Sequence, residues 1–219
     1  MKPLDLVTVA VLLFFGSRMF VSFRHSITRD GQAATVPIVK GLRPRHFLPV
    51  PLVLAAVVGA AVVLTRIPPL AFGWWTAIGG QGNPAFGVTD RTAGTPLEIV
   101  IPIVFVLMLI PALPLLVQRE EQVFRLGAEE WPWPKRIGMV VLFGLVHALV
   151  GIPIGVAIAL SIGGAYFMAA YLRMYRRTGS RREALLESTR RHLAYNATIV
   201  AVVVVVLALD AVLRLAGAA

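Results

Sequence analysis

Long runs of apolar residues, separated by short stretches in which charged residues collect, run through the chain. About 20 helical residues cross the hydrocarbon core of a bilayer, and six of the runs reach or approach that length. The predicted spans are residues 4–23, 47–65, 97–117, 137–150, 152–172 and 192–215. The pattern therefore predicts an all-α fold, a multi-pass transmembrane bundle of about six helices.

Three boundaries in this pattern need interpretation. The fourth span is short, so we expect it to extend back into the WPWP stretch at 131–134 and to form a tight helical hairpin with the fifth. The segment 67–94 is broken by Pro and Gly, which predicts an interfacial loop anchored by Trp74 and Trp75. The first run lacks an A-x-A-like cleavage site, so we interpret it as a retained helix.

Composition agrees with a membrane protein and excludes several functions. The chain has 219 residues, of which 58% are hydrophobic, and a soluble domain of this size could not bury so much apolar surface. Its formal net charge of +10 lies in loops beside apolar runs, which favours contact with anionic lipid headgroups over nucleic acid. Because the chain has no cysteine, thiolate chemistry and disulfides are excluded.

The basic residues also predict an orientation. They concentrate in two loops, residues 24–46 and residues 173–191, and the second of these carries seven arginines. The long Arg-rich approach to His192, from Thr178 onward, is also consistent with an amphipathic cytoplasmic helix. The positive-inside rule places both loops in the cytoplasm and the 66–98 loop outside. We therefore predict a multi-pass protein of the cell membrane with both termini extracytoplasmic. Residues 1–96 form an N-terminal part with two spans, and residues 97–219 form a helical core.

Ionisable residues within or at the ends of the spans suggest chemistry, because each costs roughly 2.5–3.5 kcal/mol at the centre of a membrane helix. His147 lies among aliphatic residues in the fourth span, and His192 and Asn196 share one face of the last helix. Each of these also has a structural interpretation, as a hydrogen-bonded residue between helices. Glu121 and Arg125 form an i, i+4 pair that an ion pair at a helix end would explain.

These residues are more informative together than singly. Glu120, His147, His192 and Asn196 fall in the same half of the predicted bundle, on three different helices. A carboxylate acts as a general base for water, and imidazole and amide N–H groups stabilise a developing oxyanion. The set is therefore suited to hydrolysis inside a membrane.

The sequence resembles the CPBP (Abi) family of intramembrane proteases, which is related to the type II CAAX prenyl endopeptidases. The resemblance rests on three ordered motifs, "EEQVFR" at 120–125, "FGLVH" at 143–147 and "HLAYN" at 192–196, and it covers about residues 97–205. It implies a helical bundle with an intramembrane cavity open to the cytoplasmic side.

The resemblance also implies roles for individual residues. Glu120 would activate water, and His147 would position or polarise that water. His192 and Asn196 would stabilise the oxyanion. The site-shaping residues would be Glu121, Arg125 and Phe143. The expected substrate is a membrane-embedded or lipidated peptide, of which a CAAX-type peptide is one form.

Two alternatives remain open at the level of the sequence. A chain with this fold can be a catalytically idle accessory or scaffold subunit of a larger membrane complex such as a transporter, with other subunits docking on the basic loop 173–191. A glutamate and two histidines also form a zinc-type ligand set. The HExxH signature is missing and the spacing is long, so we predict no cofactor and keep zinc as the less favoured option.

Overall fold

The structure, a computed structural model, describes residues 3–80, 93–215 and 217, and within them the chain is helical and without strands. The α-helices of this part are α1 (Pro3–Ser26), α2 (Arg29–Lys40), α3 (Pro44–Phe47), α4 (Val50–Leu64), α5 (Pro68–Ala71), α6 (Trp74–Ala77), α7 (Leu97–Phe124), α8 (Trp133–Leu145), α9 (Ile154–Thr178) and α10 (Arg181–Leu215). This confirms the predicted all-α fold.

Five helical segments of the described chain are long and apolar enough to cross a membrane. They are Pro44–Leu64, Leu97–Glu130, Trp133–Val150, Ile154–Thr178 and Arg181–Asp210. The remaining predicted span, residues 4–23, lies within α1, part of which is outside the residues whose side chains the structure describes. The chain is therefore a membrane-embedded helical bundle, in which α9 packs between α4, α8 and α10, and α7 packs against α1 and α10.

The predicted hairpin of the fourth and fifth spans is confirmed. Helix α8 begins at Trp133, as the extension into WPWP requires, and ends in a 3₁₀ turn, Val146–Val150. Gly151 then takes a left-handed conformation (φ 90°), which reverses the chain, and α9 begins directly after Pro153. The turn is held from outside by Phe72, whose carbonyl accepts a hydrogen bond from the Ile154 N–H at 2.9 Å.

The arginine-rich stretch 173–191, which the predicted orientation treats as a loop, is helical on both sides of a break at Gly179 and Ser180. Residues 173–178 form the end of α9, and Gly179 (φ 66°) terminates that helix. Helix α10 begins at Arg181 and continues without interruption to Leu215. Its 35 residues extend about 52 Å at 1.5 Å per residue, whereas the hydrocarbon core is about 30 Å thick. The arginine-rich turns are therefore the extramembrane extension of the last span.

The other basic stretch, residues 24–46, is also largely helical. It forms the end of α1, then α2 and α3, and the latter two pack against the first turns of α10. Arg190 donates from its Nη2 to the carbonyl of Pro37 at 3.0 Å, and Ile38 is completely buried. The two basic stretches consequently lie at the same end of the bundle.

The segment between α4 and α7 is only partly described, because residues 81–92 lie outside the described chain. Its first half contains the short helices α5 and α6. Trp75 is buried within the protein, so the predicted membrane anchor is wrong for this residue. Trp74 donates from its ring nitrogen to the carbonyl of Leu149 at 3.1 Å, which ties the segment to the α8–α9 turn.

Candidate active site

Glu121, near the end of α7, is the centre of a buried polar network. Its side chain is completely shielded from solvent, and it accepts a hydrogen bond from the Arg125 Nη1 at 2.9 Å, one helical turn along the chain. On α10, the Ser188 hydroxyl donates to its Oε2, and the His192 Nδ1 lies 2.8 Å from its Oε1. Both oxygens of this carboxylate are therefore used by the protein.

Arg125 is itself enclosed by aromatic rings. Its guanidinium carbon lies 4.2 Å from the centre of the Phe143 ring and 5.5 Å from that of Phe167, and a further ring, Phe124, lies at 5.6 Å. Its Nη2 reaches the Gly164 carbonyl of α9 at 3.5 Å. A buried arginine is tolerated here because a carboxylate neutralises it and ring faces replace part of its hydration.

The protonation of His192 follows from its neighbours. A carboxylate that pairs with an arginine is an acceptor only, so the His192 Nδ1 carries the proton that points to Glu121. The amide nitrogen of Asn196 faces the other ring nitrogen, Nε2, at 3.3 Å, one turn further along α10. The ring also stacks on Phe167 with a centroid distance of 4.3 Å, which fixes its orientation.

Glu120 differs from its neighbour. Its Oε2 lies 3.7 Å from the His192 Nε2, which is beyond hydrogen-bond distance. Although this oxygen is buried, it has no hydrogen-bond partner among the described residues. A buried carboxylate oxygen without a partner costs free energy, so its position calls for an explanation outside the packing of the fold.

A cavity of about 210 Å³ between α7 and α10 is lined in part by Glu120, whose side chain is 38% exposed. Glu120 and Asn196 are its polar lining residues, and the remainder of its wall is apolar. The apolar lining residues are Val106, Leu109, Leu113, Leu116, Val117, Ile199, Val200 and Val203. An apolar cleft with a few convergent polar groups at one end is the usual form of a ligand or substrate site.

His147 is connected to this cluster through Phe143. Its Nδ1 lies 2.7 Å from the Phe143 carbonyl, which only accepts, so this nitrogen carries a proton. The Phe143 ring lies edge-on to His147 at 5.2 Å and to His192 at 5.5 Å. The structure thus joins the seven predicted site residues in one cluster, which His147 enters through its contact with Phe143.

Three contributors were missed by the sequence interpretation. Ser188 lies four residues before His192, so a Ser-His-Asn series at i, i+4 and i+8 on one helix face would have indicated it. Phe167 and Gly164 of α9 had no such signal. A Cβ on Gly164 would lie 2.9 Å from the Phe143 ring and 3.1 Å from a carbonyl of α8, so a glycine is needed for this close packing.

A second buried network lies on a neighbouring face of α10. The Glu187 Oε1 accepts from the Arg191 Nε at 2.9 Å, and its Oε2 lies 3.3 Å from both the Arg45 Nη2 and the His46 Nε2. His46 is completely buried, and its Nδ1 accepts from the backbone N–H of Arg43 at 2.9 Å. This network fastens α3 to α10.

Neither network assembles a metal site in the described residues, where no three side chains of ligand type form a group that could hold an ion. The chain matches no protein-family model, and comparisons with curated proteins and with solved structures likewise find no match.

Proposed function

We propose that the protein is an intramembrane endopeptidase-like hydrolase in which Glu120 activates water against a membrane-embedded or lipidated peptide. One observation carries this proposal: two adjacent glutamates have opposite environments. Glu121 is neutralised and fully hydrogen-bonded, whereas Glu120 lines the cavity and its Oε2 finds no hydrogen-bond partner in the described chain. Because the Glu120 side chain is 38% exposed, its carboxylate can meet water in the cavity and accept a proton from it.

The proposed reaction uses the groups that line the cavity. Glu120 removes a proton from water as the water oxygen bonds to the peptide carbonyl carbon. The resulting oxyanion is stabilised by the Asn196 N–H that does not face His192. When the tetrahedral intermediate collapses, the C–N bond breaks and Glu120 returns the proton to the leaving amine.

The two histidines then have different duties. His192 receives a hydrogen bond from Asn196 at Nε2 and donates one to Glu121 at Nδ1, so it orients the amide rather than meeting the substrate. His147 is not among the residues that line the cavity, and its Nδ1 bonds to the Phe143 carbonyl, so we assign it to positioning Phe143 beside Arg125 and His192. This division modifies the roles that the CPBP resemblance implies.

The apolar cavity wall supports a substrate that enters from the membrane. Its lining residues come from the apolar stretches of α7 and α10, which suits an apolar segment or a lipid group next to the scissile bond. Because both basic stretches lie at the end of the bundle that holds Glu120, we propose that the site faces the cytoplasm, in line with the positive-inside rule.

The decisive experiment compares Glu120→Gln with Glu183→Gln, which removes an exposed carboxylate from α10. Each purified chain is reconstituted in liposomes with a pool of lipidated and unlipidated peptides, and new termini are identified by mass spectrometry. We expect cleavage by wild type and by Glu183→Gln, and a loss of at least about 10²-fold in Glu120→Gln. Wild-type turnover by Glu120→Gln would contradict the proposal.

A scaffold subunit is the second candidate, and the Glu121 network favours it. That network connects α7, α9 and α10 and would stabilise the bundle in a protein without activity. The predicted docking surface is less favourable to it, because Arg181, Arg190 and Arg191 all contact other parts of the chain. If the scaffold hypothesis holds, a stoichiometric set of membrane partners copurifies equally with wild type and with Glu120→Gln.

A further inference from the structure

A small pocket lies between the end of α9 and the first turns of α10, outside the carboxylate site. Its volume is about 70 Å³, enough for a few water molecules or one small polar group. Its polar lining residues are Tyr166, Arg173, Arg177, Glu187 and Arg191. Ala169, Ala170 and Met174 complete the wall, and the two alanines leave the space open.

The positions of these residues focus positive charge on the pocket. Tyr166, Arg173 and Arg177 follow one another at spacings of seven and four residues, which places them on one face of α9. Arg191 enters from α10, where its Nη1 donates to the Tyr166 hydroxyl at 2.8 Å. Three guanidinium groups thus converge on one small space from two helices.

The single acidic residue of the pocket does not cancel this charge. Glu187 is buried, and both of its oxygens are already occupied by contacts with Arg191, Arg45 and His46. Arg173 and Arg177 are exposed, and neither pairs with a carboxylate in the part of the chain that the structure describes. The pocket therefore carries a net positive charge of the kind that selects an anion.

Its place in the bundle indicates where the anion comes from. Arg173 and Arg177 occupy the last two turns of α9, a helix that is long and apolar enough to span the membrane. Arg191 lies in the first turns of α10, ahead of the apolar part of that helix. This is the level of the lipid headgroups, and basic pockets between transmembrane helices bind anionic headgroups. We propose that the pocket binds the phosphate of an anionic phospholipid.

Lipid binding here would also act on the carboxylate site. Arg191 and Glu187 directly flank Ser188 and His192 on α10, and Tyr166 precedes Phe167, the ring on which His192 stacks. A bound phosphate would hold α9 and α10 together at the point where both contribute to that site. The proposal does not depend on proteolysis, since the pocket shares no residue with the cavity of Glu120.

The test removes the two exposed pocket arginines and compares the result with a matched loss of charge. The pocket variant is Arg173→Gln/Arg177→Gln. The control is Arg176→Gln/Arg182→Gln, which removes one exposed arginine from α9 and one from α10, neither of which lines the pocket. Full-length proteins are titrated with nanodiscs of phosphatidylcholine alone or with phosphatidylglycerol, and bound lipid is counted by native mass spectrometry. Inorganic phosphate is titrated separately.

We expect wild type and the control to retain phosphatidylglycerol in preference to phosphatidylcholine. Every arginine near an anionic surface adds roughly fivefold to binding through diffuse attraction, and the two variants lose this part equally. A hydrogen bond from an arginine to a phosphate adds roughly tenfold or more, so the pocket variant should lose about 10²-fold beyond the loss of the control. High salt should weaken the diffuse attraction that both variants share. Ala169→Leu keeps every arginine and fills the pocket, so it should also lose the lipid.

Three outcomes would overturn the proposal. An equal loss in the pocket variant and the control would assign the effect to general surface charge. Undiminished retention in both the pocket variant and Ala169→Leu would mean that the lipid binds elsewhere. Saturable binding of inorganic phosphate at concentrations that displace phosphatidylglycerol from wild type would identify a free anion, not a lipid, as the ligand.

Discussion

Helix α10 contributes to two buried networks that contain the same types of side chain but differ in their surroundings. On one face, Ser188 and His192 meet Glu121 of α7, and on a neighbouring face Glu187 meets His46 of α3. Each network contains a glutamate, a histidine and an arginine in contact. The glutamate at the centre of each has both oxygens occupied, so neither of these two carboxylates is available to a substrate.

The difference lies in what surrounds the two networks. Beside Glu121 stands a second glutamate, Glu120, which lines a cavity and whose buried Oε2 has no hydrogen-bond partner in the part of the chain that the structure describes. The Glu187 network has no comparable oxygen, and its adjoining pocket is lined by arginines. The comparison teaches that a buried Glu–His–Arg cluster is not by itself an argument for catalysis, so the proposed activity depends on Glu120 and its cavity.

The largest effect is expected from Arg125→Met, which breaks the first network at its ion pair. Both partners are almost completely buried, so the substitution leaves Glu121 as an uncompensated charge, and loss of one partner of a buried pair costs about 3–5 kcal/mol. We expect the chain to unfold at a much lower temperature in detergent, or to fail to fold. Light scattering and the midpoint of thermal unfolding measure this change. A midpoint equal to that of wild type would mean that the network does not hold the helices together.

Asn196→Ala should separate catalysis from stability at the same network. If Asn196 stabilises an oxyanion, its loss lowers the rate of peptide cleavage by about 10²–10³-fold. The side chain is only partly buried, so we expect little change in thermal unfolding. The matched control is Thr198→Ala, because the Thr198 hydroxyl bonds to a carbonyl of its own helix at 2.9 Å. Equal rates for the two variants would remove Asn196 from the mechanism.

Gly164→Ala tests the packing that positions the first network. The added methyl group would press on the Phe143 ring, and overpacking of this kind typically costs 1–3 kcal/mol. Because Phe143 contacts Arg125, His147 and His192, we expect lower activity together with a lower unfolding midpoint. At Gly138, an added methyl group meets no atom within 4 Å, so Gly138→Ala is the control. If both substitutions leave activity unchanged, the ring is not a positioning element.

Arg45→Met should have the smallest effect and completes the comparison with Arg125. Arg45 also pairs with a buried glutamate, but 62% of its side chain is exposed. Ion pairs with an exposed partner contribute about 0–1 kcal/mol, and Glu187 keeps its contacts with His46 and Arg191. Thermal unfolding of the purified chain should therefore shift only slightly. A loss as large as that of Arg125→Met would show that the second network is the stronger one.

Much of the fold could be predicted from the sequence, because length and hydrophobicity alone require helices that satisfy their own backbone in lipid. The extension of α8 into WPWP and the turn at Gly151 followed from local residue chemistry. The continuity of the Arg-rich helix with the last span was not predicted, because the change in polarity at His192 was interpreted as the start of a separate helix. Hydrophobicity reports the surrounding solvent, and a helix continues across a solvent boundary when its residues favour helix on both sides.

The candidate site was predictable as a set of residues, although not as an arrangement. Motif spacing indicated Glu120, Glu121, His192 and Asn196, and the i, i+4 spacings predicted which of them share a helix face. The i, i+4 spacing also predicted the ion pair of Glu121 with Arg125, which the structure confirms. The contacts from other helices had no such signal, since adjacent residues on a helix point about 100° apart and only the neighbouring helices determine what else each glutamate meets.

The sequence by itself therefore determined that this is a multi-pass helical membrane protein with acidic, histidine and amide groups on its core helices. Tertiary structure decided that Ser188 and His192 meet Glu121, that Glu120 lines a cavity, and that His46 and Glu187 form a separate network. The reason is physical. Partition into lipid and helix formation depend on short stretches of chain, whereas the neutralisation of a buried charge depends on groups brought from distant helices by packing.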